Sequence, residues 1–305
     1  SNTKTFTGLS KGTTYTIKVY VKDTNGVSSS VKTTSAETSN PTFADTCRAN
    51  GSNTLACYVA KLYTSQGANG LYYHTSSLAN SAADNSYRYA GASPNNYVCF
   101  GSTASTCPSD NLYRIIGVFG SEVKLIKSTS YGNYEWDSGE SNTWSTSSIR
   151  TTLNSTYLST LSSTWQNKIA THTWKVGGMD QDDSYTAKQY YNTEVGSSSS
   201  STTDPMKIGL MYVSDYGFAA SPDYWTTELY NYEPAKSSNW LAGLNEWTVS
   251  RRSGVTGTAF RVNSAGCVEG DGVLFMNAVR PVFYLTSSTT YVSGSGTSSD
   301  PILIN

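Results

Sequence analysis

The stretch "FRVNSAGCVEGDGVLFMNAVRPVFYL", which runs from Phe260 to Leu285, combines two kinds of sequence. Its last eight residues, "AVRPVFYL", have the apolar content of a buried strand. The residues before them mix acids, a thiol and large apolar side chains among glycines, and they follow no period. We therefore expect residues of the first kind to build a core, and residues of the second kind to be unconstrained by folding.

The strand within this stretch separates the two kinds of residue most clearly. Because alternate side chains of a strand point to opposite faces, "TAFRVN" predicts Phe260 and Val262 inward and Ala259, Arg261 and Asn263 outward. The predicted inner set is Trp247, Val249, Phe260, Val262, Val279, Val282 and Tyr284. The predicted contact set, which we expect to bind a ligand, is Arg251, Arg252, Arg261, Asn263, Cys267, Glu269, Asp271, Leu274, Phe275 and Met276.

Four consecutive apolar residues, Val273 to Met276, lie in the glycine-rich part of the stretch. A solvent loop seldom carries such a run, because an exposed apolar patch usually marks a binding site. We interpret the run as an exposed patch. The alternative is a buried cover over the core.

The chain as a whole is polar and nearly neutral. It has 305 residues, of which 14% are charged, and its formal net charge is −1. A chain with this charge balance lacks the excess of positive charge that binds nucleic acid or an anionic membrane, so we expect neither as a partner. We expect no membrane insertion, because the sequence has no apolar run of 18 residues. The 23 tyrosines suit either contact surfaces or strands.

The cysteine spacing predicts two local disulfides. The five cysteines are Cys47, Cys57, Cys99, Cys107 and Cys267. The first two bracket one short polar loop and the next two bracket another, so we expect each pair to be bridged. Two disulfides indicate an oxidising, extracellular compartment. A zinc site is disfavoured, because the chain has only two histidines and no CxxC spacing.

The N-terminal residues 1–34 predict a small all-β segment. Tyr15, Ile17, Val19 and Val21 alternate with polar residues, which is the period of a half-buried strand. The "DTNG" that follows predicts a hairpin turn rather than a calcium loop, because too few oxygen ligands come after it. We expect this segment to be the end of a module that belongs to a longer surface protein.

The rest of the chain is predicted to be a linker and one large domain. Residues 35–43, "SAETSNPTF", have the composition of a linker, and residues 44–305 form the domain. Within it, residues 111–129 predict a hairpin that turns at Gly120–Ser121.

The order of the remaining elements predicts an α+β fold. Apolar residues recur every four positions after the hairpin, which predicts two short helices with a break at Asn154–Ser155. Residues 206–219, "MKIGLMYVSDYGFA", predict a strand and a turn, and three more strands follow. This is not the βαβ alternation of a nucleotide-binding sheet. The helical repeat consists of Ile149, Leu153, Tyr157, Leu161, Trp165 and Ile169.

Residues with catalytic or metal-binding chemistry are few. His74 and His172 have no recognisable nucleophile beside them, and Cys267 has no basic neighbour in the sequence to activate it. The acidic cluster "GGMDQDDSY" could bind calcium, but an exposed loop is the preferred interpretation; its aspartates are Asp180, Asp182 and Asp183. We predict no catalytic residue, no metal site and no cofactor. Five tryptophans are interpreted as core residues rather than sugar platforms: Trp136, Trp144, Trp225, Trp240 and Trp247.

Several segments together resemble a known family. They are "RYAGASPNNYVCFGS", "LYRIIGVF", "STWQNKIATHTWKVGG", "KIGLMYVSDYGFAASP", "NEWTVSRRS", "FRVNSAGCV" and "VRPVFYL". They resemble gut bacterial surface proteins with a C-type-lectin-like domain, akin to the variable proteins of diversity-generating retroelements. The resemblance covers residues 44–305 and implies the C-type-lectin-like fold, which formylglycine-generating enzymes share, with two short helices and a mixed antiparallel sheet. Residues 1–34 resemble the last strands of a fibronectin type III domain.

The resemblance also implies which residues vary. In such proteins adenine mutagenesis of Asn codons diversifies the segment before the last strand, here about Arg251–Asn277, in which Asn263 and Asn277 remain asparagine. Glu269 and Met276 are not reachable from an Asn codon by changing adenines. The residues that are reachable are Arg251, Arg252, Arg261, Cys267, Asp271, Leu274 and Phe275.

Three functions follow as hypotheses. The first is an extracellular adhesin or receptor domain that binds a protein or glycan on another cell, a phage or a host surface. The second is a structural subunit of a surface fibre or pilus-like assembly, with self-association through residues 1–34. The third, an enzyme, is disfavoured: the formylglycine-generating reaction needs paired, activated cysteines, and Cys267 alone is predicted to be unpaired.

Overall fold

The computed structural model describes residues 3–104, 106–180 and 184–305. The chain divides into two compact units, Ser1–Gly51 and Ser52–Asn305. The architecture is mixed α+β, with short helices and mostly antiparallel strands, as the sequence predicted.

The elements are short. The strands are β1 Thr14–Val19, β2 Lys32–Glu37, β3 Leu71–Tyr73, β4 Tyr87–Tyr89, β5 Tyr97–Cys99, β6 Leu112–Phe119, β7 Glu122–Lys127, β8 Gly132–Tyr134, β9 His172–Lys175, β10 Thr203–Met206, β11 Ile208–Gly209, β12 Glu246–Arg251, β13 Thr258–Val262, β14 Val268–Gly272, β15 Asn277–Val279, β16 Val282–Leu285, β17 Tyr291–Ser293 and β18 Leu303–Ile304. The α-helices are α1 Phe43–Asn50, α2 Leu55–Leu62, α3 Ser148–Thr151, α4 Ser163–Gln166, α5 Ala187–Glu194 and α6 Val213–Phe218. A π-helical segment spans Thr152–Tyr157, and 3₁₀ turns lie at Ala68–Gly70, Ser109–Asn111, Trp144–Thr146, Pro222–Tyr224, Leu229–Asn231 and Glu233–Ser238.

The N-terminal unit contains a two-stranded antiparallel sheet of β1 and β2. The predicted alternation holds at Tyr15 and Ile17, which are half-buried, but Val19 and Val21 are exposed. The "DTNG" turn forms, because the Asp23 carboxylate accepts hydrogen bonds from the Asn25 amide within it and from the Val27 amide that follows it. A single pair of strands buries one face only in part, which explains the exposed valines.

The predicted linker 35–43 is only partly irregular. Its first three residues belong to β2 and pair with β1. Its last residue, Phe43, begins α1, which Thr42 caps: the Thr42 hydroxyl accepts from the Asp45 amide, and the Asp45 carboxylate accepts from the Thr42 amide. This reciprocal arrangement is the capping box that fixes a helix start.

A seven-stranded sheet forms the centre of the second unit, in the order β11-β16-β7-β6-β4-β3, with β5 also paired to β6. The predicted hairpin is confirmed: β6 and β7 are antiparallel and turn at Gly120, whose φ of 61° suits glycine. The central strands are buried along most of their length, so this sheet is the scaffold of the unit.

A five-stranded sheet in the order β14-β13-β12-β15-β8 carries four of the ten members of the contact set, and the segments that adjoin its strands carry the other six. The segment "AVRPVFYL", predicted as one strand, is divided between the two sheets: β15 pairs with β12 and β8, whereas β16 pairs with β7 and β11. Pro281 separates them, because a proline cannot donate a ladder hydrogen bond. The segment predicted as one strand therefore connects the five-stranded sheet to the seven-stranded sheet.

The helical region differs from the prediction in two ways. The predicted break at Asn154–Ser155 is absent, because α3 continues into the π-helical segment, and the chain leaves the helix only near residue 160. Asn154 contributes here, since its side-chain amide donates to the carbonyl of Ile208 and accepts from the amide of that residue. The helices also number more than the predicted two, since α1, α2, α5 and α6 occur as well.

Residues 206–219, predicted as a strand and a turn, form the end of β10, the short β11 and the helix α6. The helix interrupts the expected strand because Asp215 caps it: its carboxylate accepts from the Tyr212 amide.

The core follows the predicted inner set closely, since every member of that set is buried. The five tryptophans interpreted as core are buried as well. Two disulfides are present: Cys99–Cys107 has a Cα–Cα distance of 5.8 Å, Cys47 and Cys57 are both disulfide-bonded, and Cys267 is free. Among the residues with a described placement, none of the helices is long and apolar enough to cross a bilayer.

Candidate functional site

The β13–β14 hairpin brings three members of the contact set together. In its register Arg261 lies opposite Glu269, and Ala259 lies opposite Asp271. These side chains share one face of the sheet, since Arg261 and Ala259 are two residues apart on one strand and Glu269 and Asp271 are two apart on the other. All three charged side chains are half-buried.

These side chains and Asn277 form a connected group that we call the surface network: Arg261, Glu269, Asp271 and Asn277. Arg261 donates from Nη2 to Glu269 Oε1 at 2.7 Å and from Nη1 to Asn277 Oδ1 at 3.1 Å. Asn277 Nδ2 in turn donates to Asp271 Oδ2 at 3.2 Å. Arg261 Nε lies 3.1 Å from the same oxygen, but its N–H finds no hydrogen-bond acceptor, so this contact is Coulombic only.

Three exposed apolar residues adjoin the network in the chain, and we call them the apolar shelf: Leu274, Phe275 and Met276. They are 42, 62 and 60% exposed, so this part of the apolar run is open to solvent as predicted. Val273, the first residue of the run, was predicted to be exposed with them and is buried. Its backbone explains this, because it donates to the Gly257 carbonyl at 3.0 Å and accepts from the Trp136 amide at 2.8 Å.

A surface cavity of about 450 Å³ lies against the shelf. We call it the shelf cavity; its lining consists of Glu140, Thr256, Gly257, Gly272, Val273, Leu274 and Phe275. No sequence signal pointed to Glu140, which lies far from the contact set in the chain. Proximity that depends on tertiary packing leaves no local pattern.

The other members of the contact set lie around this centre. Arg251 and Arg252 are half-buried at the end of β12, where Arg251 Nη1 donates to Asn142 Oδ1 at 3.4 Å. Asn263 and Cys267 flank the turn of the β13–β14 hairpin, at the end away from the shelf, and the Cys267 amide donates to Asn263 Oδ1 at 3.0 Å. The contact set therefore spans the length of the hairpin rather than a single pocket.

Ala259 lies on the predicted face of β13, with Arg261, but its predicted exposure is wrong. Ala259 was expected to point outward and is fully buried. It pairs with Arg251 on one side and with Asp271 on the other, and its short side chain lies between these two longer ones. Strand period sets the face that a side chain occupies, but neighbours decide its exposure.

A second charged group, which the sequence did not reveal, lies in the interior; we call its members, Asp84, Arg88, Lys124 and Asp215, the interior cluster. Arg88 donates to Asp84 Oδ2 at 2.7 Å and to Asp215 Oδ1 at 3.3 Å, and Lys124 is bonded to the other oxygen of Asp215. Asp84 is partly exposed; the other three side chains are buried. These residues border a cavity of about 240 Å³.

Glu194 lies in the same region and is buried. Its carboxylate accepts from the backbone amides of Val213 and Ser214 and from the Ser250 hydroxyl. Burial raises the pKa of Glu194 to about 7, although the hydrogen bonds oppose this shift. Its role is to hold the start of α6 against β12.

Both histidines are packed into the structure. His74 is buried and accepts from the Ala82 amide, and its burial lowers its pKa well below the usual range. His172 stacks on Tyr284, with ring centroids 3.8 Å apart, and its Nδ1 lies 3.1 Å from Glu122 Oε2. These contacts pack both side chains against their neighbours.

The acidic cluster is described only in part. Asp180 accepts from the Ser253 hydroxyl at 2.5 Å, whereas Asp182 and Asp183 lie outside the described residues. Within residues 3–104, 106–180 and 184–305, no group of three or more His, Cys, Asp or Glu side chains is arranged to hold a metal ion.

Comparison with known proteins gives no family assignment for this arrangement: no family model, no curated protein and no solved structure matches the chain.

Proposed function

We propose that the chain is an extracellular ligand-binding domain of the adhesin or receptor type, and that it binds through the face that carries the surface network and the apolar shelf. One observation carries the proposal. Along 247–285 the inner set is buried, while the ten residues of the contact set are exposed or half-exposed on the hairpin, its flanking loops and the adjacent strand end. Folding and recognition are thus assigned to different side chains.

The chemistry of the face suits a protein or a glycan. The shelf offers apolar area, and removing such area from water drives association. The surface network and the two arginines at the end of β12 offer charge and planar hydrogen bonding. Each of these side chains lies on or beside a strand that is hydrogen-bonded into the sheet, so the face is preorganised for contact.

We further propose that the large unit has the C-type-lectin-like fold and that residues 251–277 are diversified. The α+β architecture with antiparallel sheets and the crossover at Pro281 supports the first part. The exposure of the contact set supports the second, because substitutions at such positions leave the core intact. The two disulfides fit an extracellular location, and display on a cell surface is part of the proposal.

A screen of the full chain on protein and glycan arrays tests the function. We expect specific ligands whose binding falls at least tenfold when Leu274, Phe275 and Met276 are replaced by serine, since hot-spot truncations cost about 1.4 kcal/mol or more. The matched control replaces Val292, which is also exposed and apolar but lies on β17 in a different sheet, by serine. Binding that survives the shelf substitutions, or that falls equally in the control, refutes the proposal.

Sibling gene copies test the proposed diversification. We expect sequence differences between copies to concentrate in 251–277 and to spare the inner set. Differences spread evenly along the chain would refute it.

A second candidate function is a subunit of a surface fibre. The N-terminal unit favours it, because its two-stranded sheet carries a cavity of about 250 Å³ lined by Phe6, Leu9 and residues of both strands, and Val19 and Val21 are exposed beside it. An unpaired sheet edge of this kind can accept a strand of a second copy. We expect sedimentation velocity to detect oligomers that Val19→Asp with Val21→Asp dissociates. A monomer at all concentrations rules this candidate out.

A further inference from the structure

The shelf cavity combines apolar walls with one charge. Its lining residues include Leu274 and Phe275, which are exposed, and Val273, which is buried behind them. Among the described lining residues Glu140 is the one with an ionisable side chain. Its volume of about 450 Å³ falls within the range of sites that enclose a small ligand or a single long side chain.

Glu140 is available to a partner. It is exposed, and it takes part in no ion pair within the described part of the chain. The carboxylates of the surface network differ, since Glu269 and Asp271 both lie beside Arg261. The cavity therefore complements a positively charged group of a ligand. The carboxylates of the surface network do not compete for that group, because both are already paired with Arg261.

The loop that carries Glu140 is held at both ends. The Asp137 carboxylate accepts from the amides of Gly139 and Ser141 at 3.2 and 3.0 Å, and from Ser148 at 2.9 Å. At the other end the Asn142 side-chain amide lies within 2.7–2.8 Å of three carbonyl oxygens of the 252–258 segment. Both of these side chains are buried.

Glu140 itself has a φ of 58°, a left-handed conformation that is unusual for a residue other than glycine. Gly257 lies directly against it, since a Cβ on Gly257 would be 3.3 Å from the Glu140 carbonyl oxygen. The surroundings thus fix the backbone of Glu140 beside the cavity wall, so that binding needs to order only its side chain.

We propose that the shelf cavity binds an arginine side chain of a protein ligand. This proposal rests on the proposed function and specifies its partner. The aliphatic part of the arginine packs on Leu274 and Phe275, and the guanidinium pairs with Glu140. Arginine fits better than lysine, because its planar group can stack on an aromatic ring and donate two parallel hydrogen bonds to one carboxylate. An uncharged glycan would leave the one lining charge without a counterpart.

Model peptides test the proposal on the full chain. The probes are acetylated pentapeptides with glycine at all positions except the centre, which is arginine, citrulline or norleucine. Citrulline keeps the shape of arginine and removes its charge. We expect the arginine peptide to shift the backbone amide resonances of Gly257, Gly272 and Phe275, with a Kd on the order of 1 mM. Citrulline should bind about three- to tenfold more weakly, because the charged contact is partly solvated.

Two substitutions separate charge from shape. Glu140→Gln removes the charge and should abolish the preference for arginine over citrulline. Glu140→Gly removes the side chain and relieves the left-handed backbone, so it should abolish the preference even if the first variant is perturbed. Glu233→Gln makes the same chemical change at an exposed acid outside the cavity and should leave the preference intact.

Several outcomes overturn the proposal. They are equal affinity for arginine and citrulline, a preference that survives both changes at Glu140, no shift at about 10 mM peptide, or stronger shifts at these residues with methyl mannoside than with the arginine peptide. Its failure is distinguishable from failure of the proposed function. If array ligands still depend on the shelf while the peptides show no charge preference, only the arginine assignment falls.

Discussion

Two arginines of the large unit each lie between two carboxylates, but they differ in their exposure to solvent. Arg88 is buried in the interior cluster, where Asp215 is buried as well and Asp84 is partly so. Arg261 lies in the surface network, where its side chain is 26% exposed and those of its two carboxylate partners are 31 and 16% exposed. The pairing chemistry is the same, so any difference in effect comes from access to water.

Burial determines what each group can do. A buried charge that loses its partner leaves an uncompensated charge in a medium of low dielectric constant. A half-exposed charge that loses its partner is solvated instead, so the cost is small. The interior cluster is therefore fixed by folding, whereas the surface network tolerates replacement. This contrast is the physical basis of a face that can change its residues while the scaffold remains the same.

Asp215→Ala tests this contrast with the largest expected effect. It removes the carboxylate that contacts Lys124 and one of the two carboxylates that contact Arg88, which keeps its ion pair with Asp84, so we expect a loss of about 3–5 kcal/mol in the free energy of unfolding. Urea denaturation followed by tyrosine and tryptophan fluorescence measures it. Glu269→Ala makes the comparable change in the surface network and should cost no more than about 1 kcal/mol. Equal losses for the two variants would contradict the comparison.

Stability against pH sharpens the comparison within the interior. The pKa of Glu194 is raised to about 7 from an ordinary value of 4.5, because it is buried. Between pH 4.5 and 7 the unfolded chain has therefore lost this proton while the folded chain keeps it. The contribution of Glu194 to stability is thus greatest at the acidic end and falls as the pH rises.

We expect the free energy of unfolding of the unmodified chain, minus that of Glu194→Gln, to fall by on the order of 3 kcal/mol between pH 4.5 and 8. The difference between the two proteins is the measure, because other groups titrate equally in both. Glu233→Gln, at an exposed site, should show no such trend. A difference that stays constant with pH, or that rises, would show that Glu194 is not protonated in the folded state at acidic pH.

The sequence predicted the scaffold better than the site. The inner set, the β6–β7 hairpin, the α+β class and the two disulfides follow from period and spacing, which are properties of neighbouring residues. The division of "AVRPVFYL" at Pro281 could have been inferred, because proline interrupts a ladder. The continuation of the helix through Asn154 could not, because it depends on hydrogen bonds to Ile208.

The parts of the site that were missed share one cause. Asp84, Arg88, Lys124 and Asp215 are spread over more than a hundred residues, and only the fold brings them together. Glu140 joins the shelf cavity in the same way. The sequence identified most of the exposed side chains near the carboxyl end, since alternation and glycine content are local. It was wrong at Ala259 and Val273, whose burial depends on neighbours that a local pattern does not reveal.

The neighbours Val273 and Leu274 provide a test of intermediate size. Val273 is buried, so Val273→Ala leaves a small cavity and should cost about 2 kcal/mol in the free energy of unfolding. Leu274→Ala removes a larger group from an exposed position and should change stability by no more than about 0.5 kcal/mol. Thermal or urea unfolding measures both. A Leu274 loss as large as that of Val273 would mean that the shelf belongs to the core.

The smallest expected effect concerns the surface network itself. Glu269→Gln keeps the shape of the side chain and removes the negative charge that pairs with Arg261. We therefore expect the free energy of unfolding to change by about 0–1 kcal/mol at low salt. That change should shrink further at 1 M salt, where the Debye length falls to about 3 Å. Asp204→Asn, which breaks the less exposed contact with Arg150, serves as the control and should lose more stability and respond less to salt. If Glu269→Gln proves the costlier change and is insensitive to salt, the network is a structural element and the face is not free to vary at this position.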